Sequence, residues 1–118
     1  MATIKSYTDL EQSKGLAKIL PLESADMCYP RDAFEYHYDK EPVCHYSGIG
    51  LAHPCWSLVA LLDVLPNGTD IIKEETDTEN EKYMCTVGVT NDIISTFGNN
   101  PIDACVSMIE KLNELNLL

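Results

Sequence analysis

The sequence predicts one α+β domain in which three helices pack on a small antiparallel sheet. Three observations support this fold class. Residues 54–65 and 101–115 are apolar at helical spacing, residues 69–97 carry three strand patterns separated by turns, and the apolar share is 45% of 118 residues. A helix, a three-stranded meander and a second helix in that order are typical of an α+β layer. We therefore expect residues 1–118 to form a single domain.

The N-terminal part predicts one helix followed by irregular chain. Thr8 and Glu11 have the spacing of a capping box, which predicts a helix from there to about Leu20, before the break at Pro21. After this helix we expect loops, with one or two extra short strands within residues 25–46.

The second helix is predicted from the longest apolar stretch, residues 55–65. Pro54 fits the first helical position, where its missing amide costs nothing, and only Ser57 and Asp63 interrupt the apolar run. A helix that is apolar nearly all round is buried on most sides. We expect either the central core helix or a helix that buries one side against another chain.

Strand patterns lie between the second and third helices. Residues 69–76 begin as a strand and then become charged, and residues 77–81 form an acidic loop. In residues 83–89 the odd-numbered positions are apolar and share one face. A turn at residues 91–92 leads to a third strand over residues 93–97, which completes an antiparallel meander.

The third helix has the clearest start. Asn100 is the predicted N-cap, and Pro101 takes the first helical position. From Ile102 to about Leu115 apolar residues recur at helical spacing, with charged residues opposite. This pattern predicts an amphipathic helix that packs on the meander.

The charge of the chain excludes two classes of partner. The sequence has 19 Asp and Glu against 8 Lys and Arg, for a formal net charge of -11. A field of this sign repels phosphate backbones and anionic lipid surfaces, so we expect neither direct duplex nucleic-acid binding nor membrane binding. No apolar run suits a signal peptide or a membrane span, so we expect a cytoplasmic protein whose five cysteines are free thiols.

Three stretches carry a resemblance to known sequences: residues 20–27 (LPLESADM), residues 54–58 (PCWSL) with Leu61 and Leu62, and residues 100–112 (NPIDACVSMIEKL). Together with the first helix they cover much of the chain, whereas residues 28–49 and 73–82 contribute little. Over these stretches the chain resembles a family of short uncharacterised proteins from gut Bacteroidales and from their prophages and mobile elements. The resemblance implies a phage or mobile-element setting and no assigned activity.

A metal site is one candidate chemistry. Cys44, His45, His53 and Cys55 are weak candidates for ligands, because thiolates and imidazoles suit zinc. Their spacing lacks the two-ligand knuckle with which structural zinc sites usually begin. The alternative is a polar loop with ordinary histidines and buried thiols, and we assign no metal and no other cofactor.

Two catalytic arrangements compete with ordinary structural roles. Cys55 stands at a predicted helix N-terminus, which lowers a thiol pKa, and His37, His45 or His53 would be its base. The alternative is a core cysteine, because no catalytic motif surrounds it. The carboxylates of residues 74–81 lie in a turn, where solvation is the default. Since no catalytic constellation is recognised, we expect a protein that is not an enzyme.

Aromatic residues are the candidates for an interface. Trp56, Tyr36 and Tyr38 fit this role because aromatic rings anchor interfaces, although Trp56 also fits the core. The leading hypothesis is a small acidic accessory protein that acts through contacts with an unidentified protein partner, with a homodimer as one form. One alternative is an acidic nucleic-acid mimic that inhibits a host nuclease or DNA-binding protein. Another is a metal-binding domain built on the Cys and His residues of 28–55.

Overall fold

Two three-stranded antiparallel sheets and three helices form the part of the chain that the computed structural model describes, residues 5–29, 43–44, 53–74 and 82–118. The elements in chain order are α1 (Leu10–Leu16), a 3₁₀ turn (Leu22–Ser24), β1 (Met27–Tyr29), β2 (Val43–Cys44), β3 (His53–Cys55), α2 (Leu58–Val64), β4 (Asp70–Lys73), β5 (Tyr83–Val89), β6 (Asp92–Gly98) and α3 (Pro101–Glu114). The strand orders are β2–β1–β3 and β4–β5–β6. The predicted α+β class is confirmed, including the meander between the second and third helices. Strands β1 and β2 are the extra short strands expected within residues 25–46, whereas β3 was not predicted.

Helix α3 covers one face of the second sheet, the sheet of β4, β5 and β6. Cys85 and Val87 of β5 point inward and are buried, as the alternation predicted, and Ile109 of α3 is fully buried against the same core. The Thr96 hydroxyl of β6 donates to the Ala104 carbonyl at 2.9 Å. The helix is therefore fixed to the sheet by apolar packing and by a hydrogen bond.

The start of α3 also holds the N-terminal segment. Asn100 caps the helix as predicted, since its Oδ1 accepts from the amide of Asp103 at 2.8 Å. The carboxylate of Asp103 then accepts from Lys5 Nζ and from Gln12 Nε2, both at 2.8 Å. Partial burial opposes ionisation, but these hydrogen bonds hold the pKa of Asp103 below its ordinary value. The interaction joins α1 to α3.

The first helix begins and ends at other residues than the sequence predicted. Its N-cap is Asp9 and not Thr8: Asp9 Oδ1 accepts from the amide of Gln12 at 2.7 Å, and Gln12 Oε1 accepts from the amide of Asp9 at 3.1 Å. Thr8 cannot cap the helix because its buried hydroxyl is bonded elsewhere. The helix ends at Leu16, short of Leu20, because the intervening residues form turns.

The second helix is shorter and more exposed than predicted. Pro54 lies in β3, where it pairs with Cys28, and does not begin the helix. The N-cap is Ser57, whose hydroxyl accepts from the amide of Ala60 at 3.3 Å. Val59 is 74% exposed, so the expectation of a helix buried on most sides is wrong.

The hairpin between β5 and β6 turns at Thr90 and Asn91, with Val89 paired to Asp92. The turn thus begins one residue earlier than the turn predicted at residues 91–92. Thr90 has a φ of 54°, in the left-handed region that two-residue hairpins need and β-branched residues avoid. The steric cost of that conformation is about 1–2 kcal/mol.

Replacing Thr90 with glycine should raise the free energy of unfolding by about 1 kcal/mol, because glycine reaches positive φ without steric cost. Thr90→Ala is the control: alanine keeps the Cβ that causes the cost and should bring no comparable gain. Urea denaturation followed by circular dichroism measures both variants. Equal stabilities of the wild type and Thr90→Gly would contradict the assignment of strain to this residue.

Gly98 ends β6 close to the first turn of α3. A Cβ at this position would lie 2.5 Å from the amide nitrogen of Ala104 and 2.8 Å from Cβ of Asp103. Gly98→Ala should therefore lower the free energy of unfolding by about 2 kcal/mol. Gly88→Ala in β5 is the matched control, because nothing lies within 4 Å of its Cβ position. Urea denaturation should show Gly88→Ala within about 0.5 kcal/mol of the wild type, and equal losses for both variants would argue against this contact.

Candidate interaction surface

The predicted metal ligands do not form a site within the described residues. His53 and Cys55 lie in β3 and Cys44 in β2, while His45 lies outside the described residues. No group of three or more His, Cys, Asp or Glu side chains in the described part of the chain is placed to hold a metal ion. The metal hypothesis gains no support here and stays a prediction.

Cys55 is a buried core residue. It is 0% exposed, and its Sγ lies 3.4 Å from the Thr8 carbonyl oxygen and 3.6 Å from Thr8 Oγ1. Burial raises the pKa of the Cys55 thiol, although hydrogen bonds from Thr8 and Ser13 partly oppose the rise. The residue lies in a strand and not in the first turn of a helix, so no helix dipole activates it. A protonated, buried thiol is a poor nucleophile.

Thr8 is the centre of the polar cluster around this thiol. Its hydroxyl lies 2.7 Å from Ser13 Oγ and accepts from the amide of Trp56 at 3.1 Å. The Tyr29 hydroxyl donates to the Thr8 carbonyl at 2.7 Å. The pKa of Tyr29 lies above its ordinary value. Burial is the main cause, and the neighbouring Cys55 adds to it. These contacts bind the N-terminal segment to the first sheet, the sheet of β1, β2 and β3, and give the cluster a structural role.

A cleft of about 320 Å³ lies beside this cluster. Ser13, Lys14, Ala17, His53 and Pro54 line it. Its described walls provide an ammonium group, an imidazole and a hydroxyl, without a carboxylate or an activated nucleophile. This composition does not indicate a particular reaction or ligand.

Trp56 belongs to the core, which is the alternative to an interface role that its sequence also allowed. The residue is 0% exposed and packs in the same apolar cluster as Leu61. Its Nε1 donates to Ser24 Oγ at 2.9 Å, so the indole is satisfied inside the fold. Tyr36 and Tyr38, the other two candidates, lie outside the described residues.

The second sheet leaves its other face open within the described residues. The strand register places Ile72, Met84 and Phe97 side by side across the three strands of this face. Ile72 is 45% exposed, Phe97 is 42% exposed, and Ile93 is 75% exposed. We call these four side chains (Ile72, Met84, Ile93 and Phe97) the open-face patch. Exposed apolar groups collected on one face are typical of an interaction site.

Strand β6 is an edge of this sheet and pairs only with β5 among the described strands. Residues 93–98 contain neither a charge nor a proline, whereas β4 at the opposite edge is shorter and carries Asp70 and Lys73. Edge strands are normally protected by charges, proline or short length. Beyond Asp92 at its start, β6 lacks this protection, and no described strand covers its outer edge.

The hairpin register determines which backbone groups of β6 face that edge. Because a two-residue turn joins β5 and β6, Val89 and Asp92 form a hydrogen-bonded pair, and such pairs alternate along the ladder. The amides and carbonyls of Ile93, Ser95 and Phe97 therefore point away from β5. No hydrogen bond joins these groups to other described residues. The free edge and the open-face patch thus share Ile93 and Phe97.

This surface was not predicted from the sequence. Residues 93–97, which follow Asp92, form an uncharged run, but from the sequence they were assigned only to a third strand. Comparisons of the chain with protein-family models, curated proteins and solved structures found no match. In the described part of the chain, no helix combines the length and the apolar character required to cross a membrane.

Because Cys55 and Tyr29 are buried, we expect the fold to lose stability in alkaline solution. Their pKa values in the fold lie above the ordinary 9.0 and 10.0, so the folded protein holds protons that the unfolded chain releases. Titration of these groups should therefore not change the free energy of unfolding near neutral pH, and should lower it as the pH rises above about 9. Denaturation at a series of pH values measures the slope.

Tyr29→Phe removes one of the two titrating groups. It should cost about 1 kcal/mol at pH 7, because the hydrogen bond to Thr8 is lost, and give a shallower alkaline decline than the wild type. Identical slopes for the two proteins above pH 9 would show that Tyr29 does not contribute.

Proposed function

We propose that this protein is an interaction module that binds an extended segment of another protein along β6. One observation carries the proposal: the uncharged free edge and the apolar open-face patch meet on the same strand. In strand addition, main-chain hydrogen bonds provide affinity and alternate side chains provide specificity. Ile93, Ser95 and Phe97 offer both, since their backbone groups face the edge and their side chains lie on the open face.

The expected strength is that of a reversible contact. Each new backbone hydrogen bond contributes about 0.5–1.5 kcal/mol net. Complete burial of Ile93 or Phe97, which are 75% and 42% exposed, adds at most about 1.5–3 kcal/mol each. Association itself costs several kcal/mol of rotational and translational freedom. The balance favours a weak complex that forms and dissociates readily.

The charge of the chain favours selectivity in this contact. A net charge of -11 repels acidic partners, while residues 93–98 are neutral. The segment that pairs with β6 should therefore be apolar and uncharged over the residues that face Ile93, Ser95 and Phe97. On the resemblance to short proteins of Bacteroidales prophages and mobile elements, we extend the proposal to an accessory role in such an element.

Ser95→Pro should abolish strand addition and leave the fold intact. The substitution removes the outward amide at the middle of the edge and places a ring there, but the lost amide does not bond β5. Ser95→Ala is the matched control because it keeps the amide. The measurement is the affinity of synthetic peptides selected on the wild-type protein from a displayed library of random short peptides.

The selected peptides should bind Ser95→Pro at least about tenfold more weakly than Ser95→Ala. Amide exchange on the wild-type complex should show new protection at Ile93, Ser95 and Phe97. Peptides that bind both variants equally would overturn the proposal, provided that circular dichroism shows both variants folded.

A further inference from the structure

We infer that the strand which pairs with β6 is β6 of a second copy of this chain, so that two copies join into one continuous sheet. The inference rests on the proposed function, because it names the partner of the same edge. Each copy contributes a three-stranded sheet that ends in β6. The resulting interface is isologous, with the same strand on both sides of a two-fold axis.

A two-fold axis at Ser95 pairs every outward backbone group of the strand. In this register Ser95 faces its own counterpart, and Ile93 faces Phe97 of the second copy. Because the backbone groups of these three residues all point outward, each facing pair is a hydrogen-bonded pair. A shift by one residue would set outward groups against Ile94 or Thr96, whose groups bond to β5. A shift by two residues would keep outward groups face to face but would leave Ile93 or Phe97 without an outward partner in β6, so the register centred on Ser95 pairs the most groups.

The same register keeps the two Asp92 carboxylates apart. Asp92 is the one charged residue in the seven residues of β6, and it would face Gly98 of the second copy. The two Asp92 carboxylates would then lie at opposite ends of the paired strands, about 20 Å apart at about 3.4 Å per residue. The Debye length at physiological ionic strength is about 8 Å, so their repulsion is screened.

Pairing also covers the most exposed apolar residue of the sheet. Ile93 packs beside the ring of Phe97 of the second copy, and pairs of aromatic and β-branched residues stabilise neighbouring strands. The row of Ile72, Met84 and Phe97 then continues across the axis. The outer edges of the joined sheet are the two β4 strands, which carry Asp70 and Lys73. These protected edges stop the assembly at two copies.

The area of contact fits a weak dimer. Pairing of one seven-residue strand buries less than a standard interface of about 1,600 Å². We expect a Kd of micromolar order. A competing surface for self-association is α2, where Val59 is 74% exposed and Leu62 is 38% exposed. This surface consists of one short helix, whose middle residues have no free backbone groups to pair with a second copy.

The test is sedimentation equilibrium on the full chain between about 1 and 300 µM. The wild type should form a concentration-dependent dimer, and Phe97→Lys should raise the Kd at least about tenfold, because it removes the ring that contacts Ile93 of the second copy. Ile72→Lys is the matched control, since Ile72 has nearly the same exposure in the same row but lies on β4. Val59→Lys tests α2. Both controls should keep the Kd within about twofold.

Salt distinguishes a second copy from a basic partner. Two chains of net charge -11 repel each other, so raising the NaCl concentration from about 50 to 500 mM should tighten the dimer. Attraction to a basic protein would weaken over the same range. A dimer that weakens with salt would therefore count against the uncharged β6 contact.

Other outcomes separate this inference from the proposed function. A wild-type monomer at every concentration would overturn the inference, while selected peptides that depend on Ser95 would leave the proposed function standing. A dimer that persists in Phe97→Lys or in folded Ser95→Pro would also overturn the inference of β6 pairing. Loss of the dimer in Val59→Lys alone would do the same. If Phe97→Lys does not fold, Ser95→Pro with its Ser95→Ala control decides the question.

Discussion

Burial of α3 against one face of the second sheet determines which surface the protein leaves available. The inward side chains of β5 and the apolar side of α3 join one core that also contains Trp56. Because side chains alternate along a strand, filling that face commits Ile93 and Phe97 to the other one. The open-face patch therefore follows from the same alternation that forms the core. It needs no separate sequence feature.

The buried polar groups serve to anchor the N-terminal segment. Thr8 bonds to Ser13, Trp56 and Tyr29, and Lys5 reaches Asp103 at the start of α3. Among the described residues, no buried side-chain nitrogen or oxygen lacks a hydrogen-bond partner. These groups therefore stabilise the attachment of the N-terminal segment to the first sheet and to α3.

The elements that the sequence predicted well are those decided by a local pattern. Asn100 and Pro101 cap and begin α3 by themselves, and the alternation of residues 83–89 defines β5. Pro54 is different, because proline suits both a first helical turn and an edge strand. Its pairing with Cys28 decides between them, and that pairing depends on residues far apart in the chain. Local rules therefore predicted the second half of the chain better than the first.

The interaction surface was harder to predict, because exposure is a property of the assembled sheet. Ile93 and Phe97 have the sequence of an ordinary strand, and only the position of β6 at an edge and of α3 behind it leaves them exposed. One feature of the sequence does distinguish this edge from the edge formed by β4: residues 93–98 are uncharged in a chain of net charge -11. Protection of edge strands by charge is the general rule, and departures from such rules are expected where a protein binds something. The uncharged run after Asp92 departs from that rule, and this departure is the reason to propose that another strand binds at this edge.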